Sequence, residues 1–257
     1  MTEDPVLEEL DGGVGVARLN RPEERNALSP ELMQQLADLV ERWDADPAVN
    51  CIVIAGGDDF FAAGNDIQVM DERGSGEALV QDSARFWLRM AGCRTPLIAA
   101  VSGYALAGGC ELALLCDLIV ASETAEFGQP EILLGIIPGG GATQRIARVV
   151  GRQRAMELIL TGRRIHAEEA LALGLVNRMA PKRKWLSQAL ELAQLVARRP
   201  PLAVRLAKQA VLAAEETALE AGLAQERRLY ELSMATEDRL EGMRAFLEKR
   251  RPDFKGR

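Results

Sequence analysis

Short apolar runs alternate with amphipathic stretches over the first two thirds of the chain. Val6–Leu10 and Val14–Leu19 flank an Asp-Gly-Gly turn at 11–13, which predicts a β-hairpin. Three continuous apolar runs are typical of strands that are covered on both faces, namely Cys51–Ala55, Leu97–Val101 and Leu118–Ala121. The hydrophobic pattern therefore indicates several short strands, most of them buried.

Helical patterns fall between these strands. Ser29 and Pro30 supply an N-cap and a first-turn proline for a helix that reaches about Trp43. A second helix is expected around Glu77–Met90. Strands that alternate with helices at this spacing predict an α/β core with parallel pairing.

The pattern changes after about Arg183, where only helical signals remain beyond a last strand signal at Leu175–Arg178. Pro201 begins a stretch that we expect to form one helix to about Leu232. We therefore predict an α/β core at 1–190 and a C-terminal helical region at 191–257. The apolar stripe of this region needs a covering partner, so we expect a homo-oligomer; its members include Leu202, Leu206, Leu219 and Leu223.

Composition excludes several classes of protein. The 257 residues are 48% hydrophobic and 27% charged, with a net charge of −7, which argues against a nucleic-acid partner because such proteins normally carry a basic face. Apolar runs are shorter than the roughly 18 to 20 residues that a membrane helix needs. The first ten residues lack the basic and apolar regions of a signal peptide, so we expect a cytoplasmic protein without a membrane partner.

The cysteine and histidine content limits the possible chemistry. Four cysteines without CxxC spacing lie in apolar segments, which indicates buried free thiols rather than disulfides or metal ligands. The single histidine, His166, excludes a multi-histidine zinc site and a histidine triad, and its charged surroundings favour a surface role. We therefore expect no metal, and carboxylates become the first candidates for acid–base chemistry.

Two glycine-containing segments follow predicted strands, at 60–67 and at 103–112. Glycines let a backbone approach a ligand closely, and a helix start presents unpaired N–H donors. A thioester oxygen that gains negative charge would suit such donors. The alternative is that these glycines serve only tight packing between strand and helix.

Two glutamates strengthen the case for a reaction. Glu111 lies inside an apolar string, where an unpaired carboxylate is costly, and Glu131 follows a Gln-Pro pair twenty positions later. If the fold brings them together, burial and mutual repulsion would separate their pKa values, as general acid–base catalysis requires. Structural salt bridges are the alternative.

The segment 138–145 lacks the GK[ST] ending of a phosphate loop and is better explained as a turn that orients a small ligand or water.

At these residues the sequence strongly resembles the enoyl-CoA hydratase (crotonase) family. The resemblance rests on five segments that together span the chain, namely LNRPEERNAL, FAAGNDI, AAVSGYALAGGCELALLCDLIVA, FGQPEILLGIIPGGGATQR and ATEDRLEGMRAFLEKRRPDFKGR. It implies a crotonase-like spiral of ββα units with a C-terminal α-helical oligomerisation region. It also implies an acyl-CoA substrate, no separate cofactor because CoA is part of the substrate, and a homotrimer or a dimer of trimers (homohexamer).

The resemblance implies roles for individual residues. The N–H groups of Asn65 and Gly108 would form an oxyanion hole, Glu111 and Glu131 would lie around the nucleophilic water, and the N–H of Gly139 would help to hold that water. We expect Glu111 to act as the base and Glu131 as the acid. Matching substrate-binding positions are Ala63, Asp66, Ile67, Tyr230, Phe246 and Lys249. Family lysines that contact CoA phosphates are replaced here, for example by Asp59 and Gln68, so other basic residues such as Arg25 would have to serve.

The expected reaction is hydration of a trans-2-enoyl-CoA to a 3-hydroxyacyl-CoA, as in β-oxidation of fatty acids. The alternatives are an isomerase on the same fold, which needs one principal base, and a non-catalytic acyl-CoA-binding protein. Within the family, the C-terminal segment most resembles hydratases that act on 2,3-dehydroadipyl-CoA in bacterial phenylacetate degradation. Arg85 and Arg89 share one helix face and are candidates for the acyl carboxylate, with a solvated surface role as the alternative.

Overall fold

The computed structural model describes residues 4–66 and 84–257. Its strands are β1 Val6–Asp11, β2 Val14–Leu19, β3 Cys51–Ala55, β4 Phe60–Ala62, β5 Leu97–Val101, β6 Tyr104–Leu106, β7 Leu118–Ser122, β8 Glu126–Gly128, β9 Arg164–His166 and β10 Arg178–Ala180. Its α-helices are α1 Pro30–Ala45, α2 Ala84–Ala91, α3 Gly108–Leu115, α4 Ala142–Val150, α5 Arg152–Thr161, α6 Ala167–Ala172, α7 Trp185–Ala197, α8 Pro201–Glu216, α9 Leu219–Met234 and α10 Glu237–Leu247. Two 3-10 helices span Pro22–Glu24 and Pro130–Leu134.

The strands form two sheets, and from β3 to β8 successive strands belong alternately to one sheet and the other. The first sheet has the order β1-β2-β3-β5-β7-β10, and the second has the order β4-β6-β8-β9. Among the strands of the described residues, β1 with β2 and β8 with β9 pair antiparallel, and the other neighbours pair parallel. Successive strand pairs β3/β4, β5/β6 and β7/β8 each give one strand to each sheet. This progression is the predicted spiral of ββα units.

The predicted hairpin and the strands β3, β5 and β7 of the first sheet are confirmed, whereas the last strand signal, Leu175–Arg178, overlaps the observed β10 only at residue 178. The hairpin pairs Val6 with Leu19 and Asp11 with Val14, and β3 and β5 are buried along their whole length. In α1 the Ser29 hydroxyl oxygen accepts the N–H of Leu32 at 3.2 Å, and Pro30 occupies the first helical position. Of the second predicted helix the structure describes only Ala84–Ala91, and the part before residue 84 lies outside the described residues.

Helices cover both faces of the first sheet. Leu32, Leu36 and Val40 of α1 are fully buried in the larger core, which continues between the sheets through Phe61 and Leu112. On the other face, α7 packs on the sheet through a second cluster that includes Trp185 and Leu192 together with Val53 and Ile98. The predicted division near residue 190 therefore falls within a helix that is bound to the core.

One sheet was missed by the sequence analysis, and one expectation about a helix was wrong. The second sheet was not predicted, because its three-residue strands are too short to show a period-two pattern. The single helix from Pro201 to Leu232 is two helices, which break at Thr217 and Ala218, both in extended conformation. The Thr217 hydroxyl donates to the Ala213 carbonyl at 2.8 Å and completes the end of α8. The break lets α9 fold back onto α8 and cover part of its apolar face.

The C-terminal helices are attached to the core by a polar junction. Lys208 of α8 donates to the carbonyl of Thr95 at 3.1 Å and pairs with Asp117 at 2.7 Å. Arg205 donates to the Thr95 hydroxyl at 3.0 Å. In residues 4–66 and 84–257, no helix combines the length and the hydropathy that are needed to cross a bilayer.

Candidate active site

Glu111 is positioned by a sharp turn between β6 and α3. Ala107 precedes the helix with φ +48° and ψ −125°, a conformation that non-glycine residues seldom adopt and that costs of order 1–3 kcal/mol. The turn places Glu111 in the first part of α3, where its N–H donates to the carbonyl of Ala107 at 2.9 Å. The residue is only 1% exposed. This strained turn thus places the Glu111 carboxylate in the protein interior.

The Glu111 carboxylate is held by backbone donors from a distant loop. Its Oε1 accepts the N–H of Gly140 at 2.7 Å and that of Ala142 at 3.1 Å. Burial raises the pKa of Glu111, while these two N–H groups and the nearby Arg145 oppose the rise because they stabilise the ionised form. Arg145 also donates to the Gly140 carbonyl at 3.0 Å, which fixes the loop that presents the donors.

Glu131 is in a different environment. It lies in the 3-10 helix Pro130–Leu134, is 5% exposed, and has a pKa raised to about 7. Burial is the main cause, its own backbone N–H opposes the rise, and the negative charge of Glu111 adds to it. The two carboxylates are therefore brought within electrostatic reach of each other. Within the described ranges neither forms a salt bridge, so the salt-bridge alternative fails.

The two glycine segments also meet. Leu28 and Asn65 form a parallel bridge, and the Gly64 carbonyl accepts the N–H of Leu28 at 2.8 Å. A Cβ atom added to Gly108 would lie 2.5 Å from Oδ1 of Asn65, so the two residues are in direct contact. The N–H of Gly108 belongs to the first turn of α3, where backbone donors have no intrahelical acceptor. Asn65 is exposed and Gly108 is buried, so the pair lies at the edge of the core.

The loop before α4 separates the buried carboxylate from solvent. Gly139 is exposed, and a Cβ atom added to it would meet no atom within 4 Å. Gly140 is buried, and a Cβ atom there would lie 2.7 Å from the Trp87 ring and 2.8 Å from Oε2 of Glu111. Trp87 therefore borders the site. Sequence reasoning missed it because an aromatic residue on an amphipathic helix looks like an ordinary core residue.

A second residue that the sequence analysis missed is Gln129, which is 1% exposed. Its amide matches the hydrogen-bond donors and acceptors around it when the nitrogen faces Glu131. In that orientation the nitrogen donates to Oε1 at 2.9 Å and to Oε2 at 3.1 Å. The only signal in the sequence was the presence of an amide two positions before the glutamate, within an otherwise apolar stretch.

The other predicted substrate-binding residues have individual contacts and exposures in the described part of the chain. The N–H of Ala63 donates to the Arg25 carbonyl at 3.0 Å, and the carboxylate of Asp66 lies 3.5 Å from Arg21. Ile67 lies outside the described residues. Tyr230 of α9 is 57% exposed and Phe246 of α10 is 83% exposed. Lys249 lies two residues after the end of α10, is exposed and has a φ of +55°.

The expectation for Arg89 as an acyl-tail ligand was wrong. Its guanidinium donates to Oε1 and Oε2 of Glu41 at 2.7 and 2.5 Å and to Asp38 at 2.5 Å. These bonds lower the pKa values of both carboxyls and raise that of Arg89, so its charge is already neutralised. Arg85 is exposed, and its guanidinium lies 4.6 Å from the centroid of the Phe86 ring.

The cysteines are buried and the histidine lies at the surface, as the sequence predicts. All four thiols are free and buried, and burial is the largest cause of their raised pKa values. The side chain of His166 is 79% exposed, with Nδ1 3.9 Å from Glu126.

Comparison with known proteins assigns the family. The sequence model described as "Enoyl-CoA hydratase/isomerase" matches residues 9–257. The chain belongs to the enoyl-CoA hydratase/isomerase family. The 2,3-dehydroadipyl-CoA hydratase of Escherichia coli is 51% identical over 93% of this chain and 94% of its own length. A probable enoyl-CoA hydratase of Mycobacterium tuberculosis is 46% identical over 99% of both chains.

Solved structures of the family have the same fold. An enoyl-CoA hydratase of Geobacillus kaustophilus superposes with a TM-score of 0.95 at 44% identity, covering 98% of both chains. One from Bacillus anthracis superposes with a TM-score of 0.95 at 37% identity, covering 98% of this chain and 100% of its own. The chain is an α/β protein of the crotonase fold and, as a family member, an enzyme of the hydro-lyase class that hydrates enoyl-CoA esters.

Proposed function

We propose that Glu111 and Glu131 divide the acid–base work of hydration between them. Glu111 takes a proton from the water whose oxygen bonds to C3 of a trans-2-enoyl-CoA, and Glu131 gives its proton to C2. The product is a 3-hydroxyacyl-CoA, and the reaction needs no cofactor beyond the CoA of the substrate. One proton is taken and one is given, so the sum is the addition of one water molecule.

The observation that carries this division is the difference between the two environments. Burial raises the pKa of Glu111, and two backbone N–H groups that donate to its carboxylate oppose that rise by stabilising the ionised form, which a base requires. Burial and the adjacent negative charge keep Glu131 protonated up to about pH 7, which an acid requires.

The thioester oxygen has a proposed site at the junction of the two glycine segments. The N–H groups of Asn65 and Gly108 would donate to the charge that develops on this oxygen, and the loss of one such donor typically costs about 3–4 kcal/mol of barrier. The N–H of Gly139 is proposed to hold the nucleophilic water. Contact between Asn65 and Gly108 supports a common site for the two donors.

Crotonyl-CoA provides the direct test of hydration. We expect the wild-type enzyme to lower the near-ultraviolet absorbance of the conjugated thioester to an equilibrium value while the product gains the mass of one water molecule. An isomerase acting on a suitable enoyl ester would move the double bond without a change in mass. Binding of CoA esters without turnover across a range of acyl chains would indicate a non-catalytic protein.

The proposed preferred substrate is 2,3-dehydroadipyl-CoA, as in phenylacetate degradation. It is supported by the C-terminal resemblance and by the name of the 51% identical relative. Arg85 is the remaining candidate on its helix for the terminal carboxylate. We expect Arg85→Ala to lower kcat/KM for dehydroadipyl-CoA about tenfold or more without affecting crotonyl-CoA. Arg89→Ala is the matched control on the same helix, and equal losses on both substrates would remove the assignment.

The remaining substrate contacts are proposed at Ala63, Asp66 and Ile67 and at the C-terminal positions Tyr230, Phe246 and Lys249. Substitution of the three C-terminal residues by alanine is expected to raise KM more than it lowers kcat, because they would contact the bound ester away from the reacting carbons. Unchanged KM values in all three variants would exclude them from the binding site.

The proposed assembly is a homotrimer, or two trimers paired as a hexamer. Exposed apolar side chains on the C-terminal helices support association, since Leu219 is 78%, Leu223 54% and Leu247 80% exposed. Light scattering on the purified protein should give a mass of three or six chains, and a monomer mass at working concentration would contradict the assembly.

A further inference from the structure

The segment 250–257, called the strap below, folds back along α10 after a sharp reversal of the chain. The reversal is at Lys249, whose φ of +55° lies in the left-handed region that residues other than glycine seldom adopt. The N–H of Lys249 donates to the Phe246 carbonyl at 3.2 Å, and the N–H of Arg250 donates to the Ala245 carbonyl at 3.0 Å. These bonds close the end of α10 and turn the strap toward the beginning of the helix.

Glu241 holds the first part of the strap. The Arg250 guanidinium donates to Oε1 of Glu241 at 2.5 Å and to Oε2 at 2.9 Å, and the N–H of Asp253 donates to Oε1 at 2.9 Å. The Phe254 ring lies against Gly242, where an added Cβ atom would be 3.4 Å from the ring. The strap therefore follows one face of α10 as it runs back.

Asp238 holds the last part of the strap. This residue lies in the first turn of α10 and is 2% exposed. Its Oδ1 accepts the N–H of Lys255 at 2.6 Å, its Oδ2 accepts the N–H of Gly256 at 2.9 Å, and its own N–H donates to the Arg257 carbonyl at 3.1 Å. An ionised carboxylate forms stronger bonds with N–H donors than a neutral acceptor does. Asp238 thus fastens the strap to the beginning of α10.

The strap also connects α10 to the rest of the protein. A Cβ atom added to Gly256 would lie 3.7 Å from Cγ of Pro201, the first residue of α8. Helix α8 is in turn bound to the core through Lys208. Phe246 on α10 stays 83% exposed, and Lys249 forms the reversal itself. The placement of these two residues relative to the core therefore depends on the strap.

We propose that Asp238 is a positioning residue for substrate binding, because its hold on the strap keeps Phe246 and Lys249 where they meet the CoA ester. The inference rests on the proposed function, in which these two residues contact the ester. When the strap is open in part of the molecules, the apparent affinity for the ester falls with the fraction that is still competent to bind. The reacting carbons are not touched, so the chemical step keeps its rate.

The test is hydration of crotonyl-CoA by Asp238→Asn, which keeps the size of the side chain and removes its charge. We expect KM to rise about tenfold, the scale of weakened charge-assisted hydrogen bonds, while kcat stays within about twofold. Hydrogen exchange of the strap, measured by mass spectrometry on peptides that cover 250–257, should become about tenfold faster or more.

Glu237→Gln is the matched control. Glu237 precedes Asp238 in the same turn and also meets the strap, through an ion pair with Arg257 at 2.9 Å, but its side chain is 67% exposed. Exposed pairs contribute little, so KM and the exchange of the strap should stay as in the wild type. Lys255→Pro is the second variant, in case Asp238→Asn does not fold. It removes one of the N–H groups that Asp238 accepts and should raise KM in the same way.

The double variant Phe246→Ala/Lys249→Ala shows whether Asp238 acts through these two residues. If it does, adding Asp238→Asn to this background should raise KM no further, because the contacts that it positions are already gone. The same fold-increase in both backgrounds would overturn the inference, as would an unchanged KM in Asp238→Asn and Lys255→Pro, even with a lower Tm. An unchanged KM in Phe246→Ala/Lys249→Ala itself would instead remove the proposed substrate contacts, and with them this role of Asp238.

Discussion

Gly140 donates its backbone N–H to Oε1 of Glu111 over 2.7 Å, although the two residues are 29 positions apart in the chain. The bond joins the start of α3 to the loop that precedes α4, so the position of the carboxylate depends on the backbone of a different spiral turn. Trp87 closes the other side of Gly140. No side chain larger than hydrogen fits between the indole and the carboxylate.

Gly140→Ala is therefore expected to damage catalysis. The new Cβ would lie 2.8 Å from Oε2 of Glu111 and 2.7 Å from the Trp87 ring, so one of the two must move. We predict a fall in kcat of about a hundredfold, which is the scale reported for small displacements of catalytic groups. Gly139→Ala keeps its N–H and would meet no atom within 4 Å, so its loss should be much smaller. Steady-state kinetics measure kcat of both variants, and equal falls in kcat would contradict the steric explanation.

The raised pKa of Glu131 carries a cost in stability that depends on pH. Between its ordinary value of 4.5 and the folded value of about 7, the folded protein binds more protons at this site than the unfolded chain does. The free energy of unfolding therefore falls as pH rises through this window, by an amount on the order of a few kcal/mol.

Glu131→Gln removes this pH-dependent cost because an amide cannot ionise. We predict that the Tm of the variant relative to wild type increases from about pH 5 to about pH 8 and then levels off. Thermal unfolding of the two proteins at matched pH measures the difference. A difference that is constant over this range would show that Glu131 has no raised pKa in the folded enzyme.

The junction that attaches α8 to the core can be tested at Lys208. Its side chain is 10% exposed and that of Asp117 is 20% exposed, so Lys208→Met would leave a mostly buried carboxylate without its cation. We predict a loss of about 2 kcal/mol in the free energy of unfolding, below the usual cost for a fully buried pair because some exposure remains.

Denaturant unfolding of Lys208→Met should be compared with an exposed ion pair. Lys182 pairs with Asp59 at 3.1 Å with side chains 49% and 70% exposed, and Lys182→Met should cost less than about 1 kcal/mol. Adding Asp117→Asn to Lys208→Met should recover part of the loss, since no unpaired charge would remain. If the two lysine variants are equally stable, the junction does not hold α8 to the core.

The first sheet could be predicted from the sequence, because β3 and β5 are continuous apolar runs and the hairpin is bounded by a glycine turn. The second sheet could not, since each of its strands has only three residues and is defined by pairing across the fold. The break at Thr217 was missed for a similar reason: neither proline nor glycine marks it, and the packing of α9 on α8 determines it.

The site shows the same division between local and long-range information. Glu111 could be recognised because a carboxylate in an apolar string needs a purpose, and Glu131 because it follows a proline turn. The spiral fold brings the two glutamates together and supplies the N–H donors of Gly140 and Ala142. No local sequence pattern predicts either of these. Arg89 had the right spacing for a ligand, but Glu41 and Asp38 of α1 bind it instead.

The measurement that tests the central claim most directly is single-turnover hydration of crotonyl-CoA by Glu111→Gln, Glu131→Gln and the double variant, with CoA-ester affinity measured in parallel. We predict that each single variant loses at least about a hundredfold in rate while binding stays within a few-fold, and that the double variant is not much slower than the worse single one. Turnover near the wild-type rate in both single variants would contradict the division of acid and base between these two carboxyl groups.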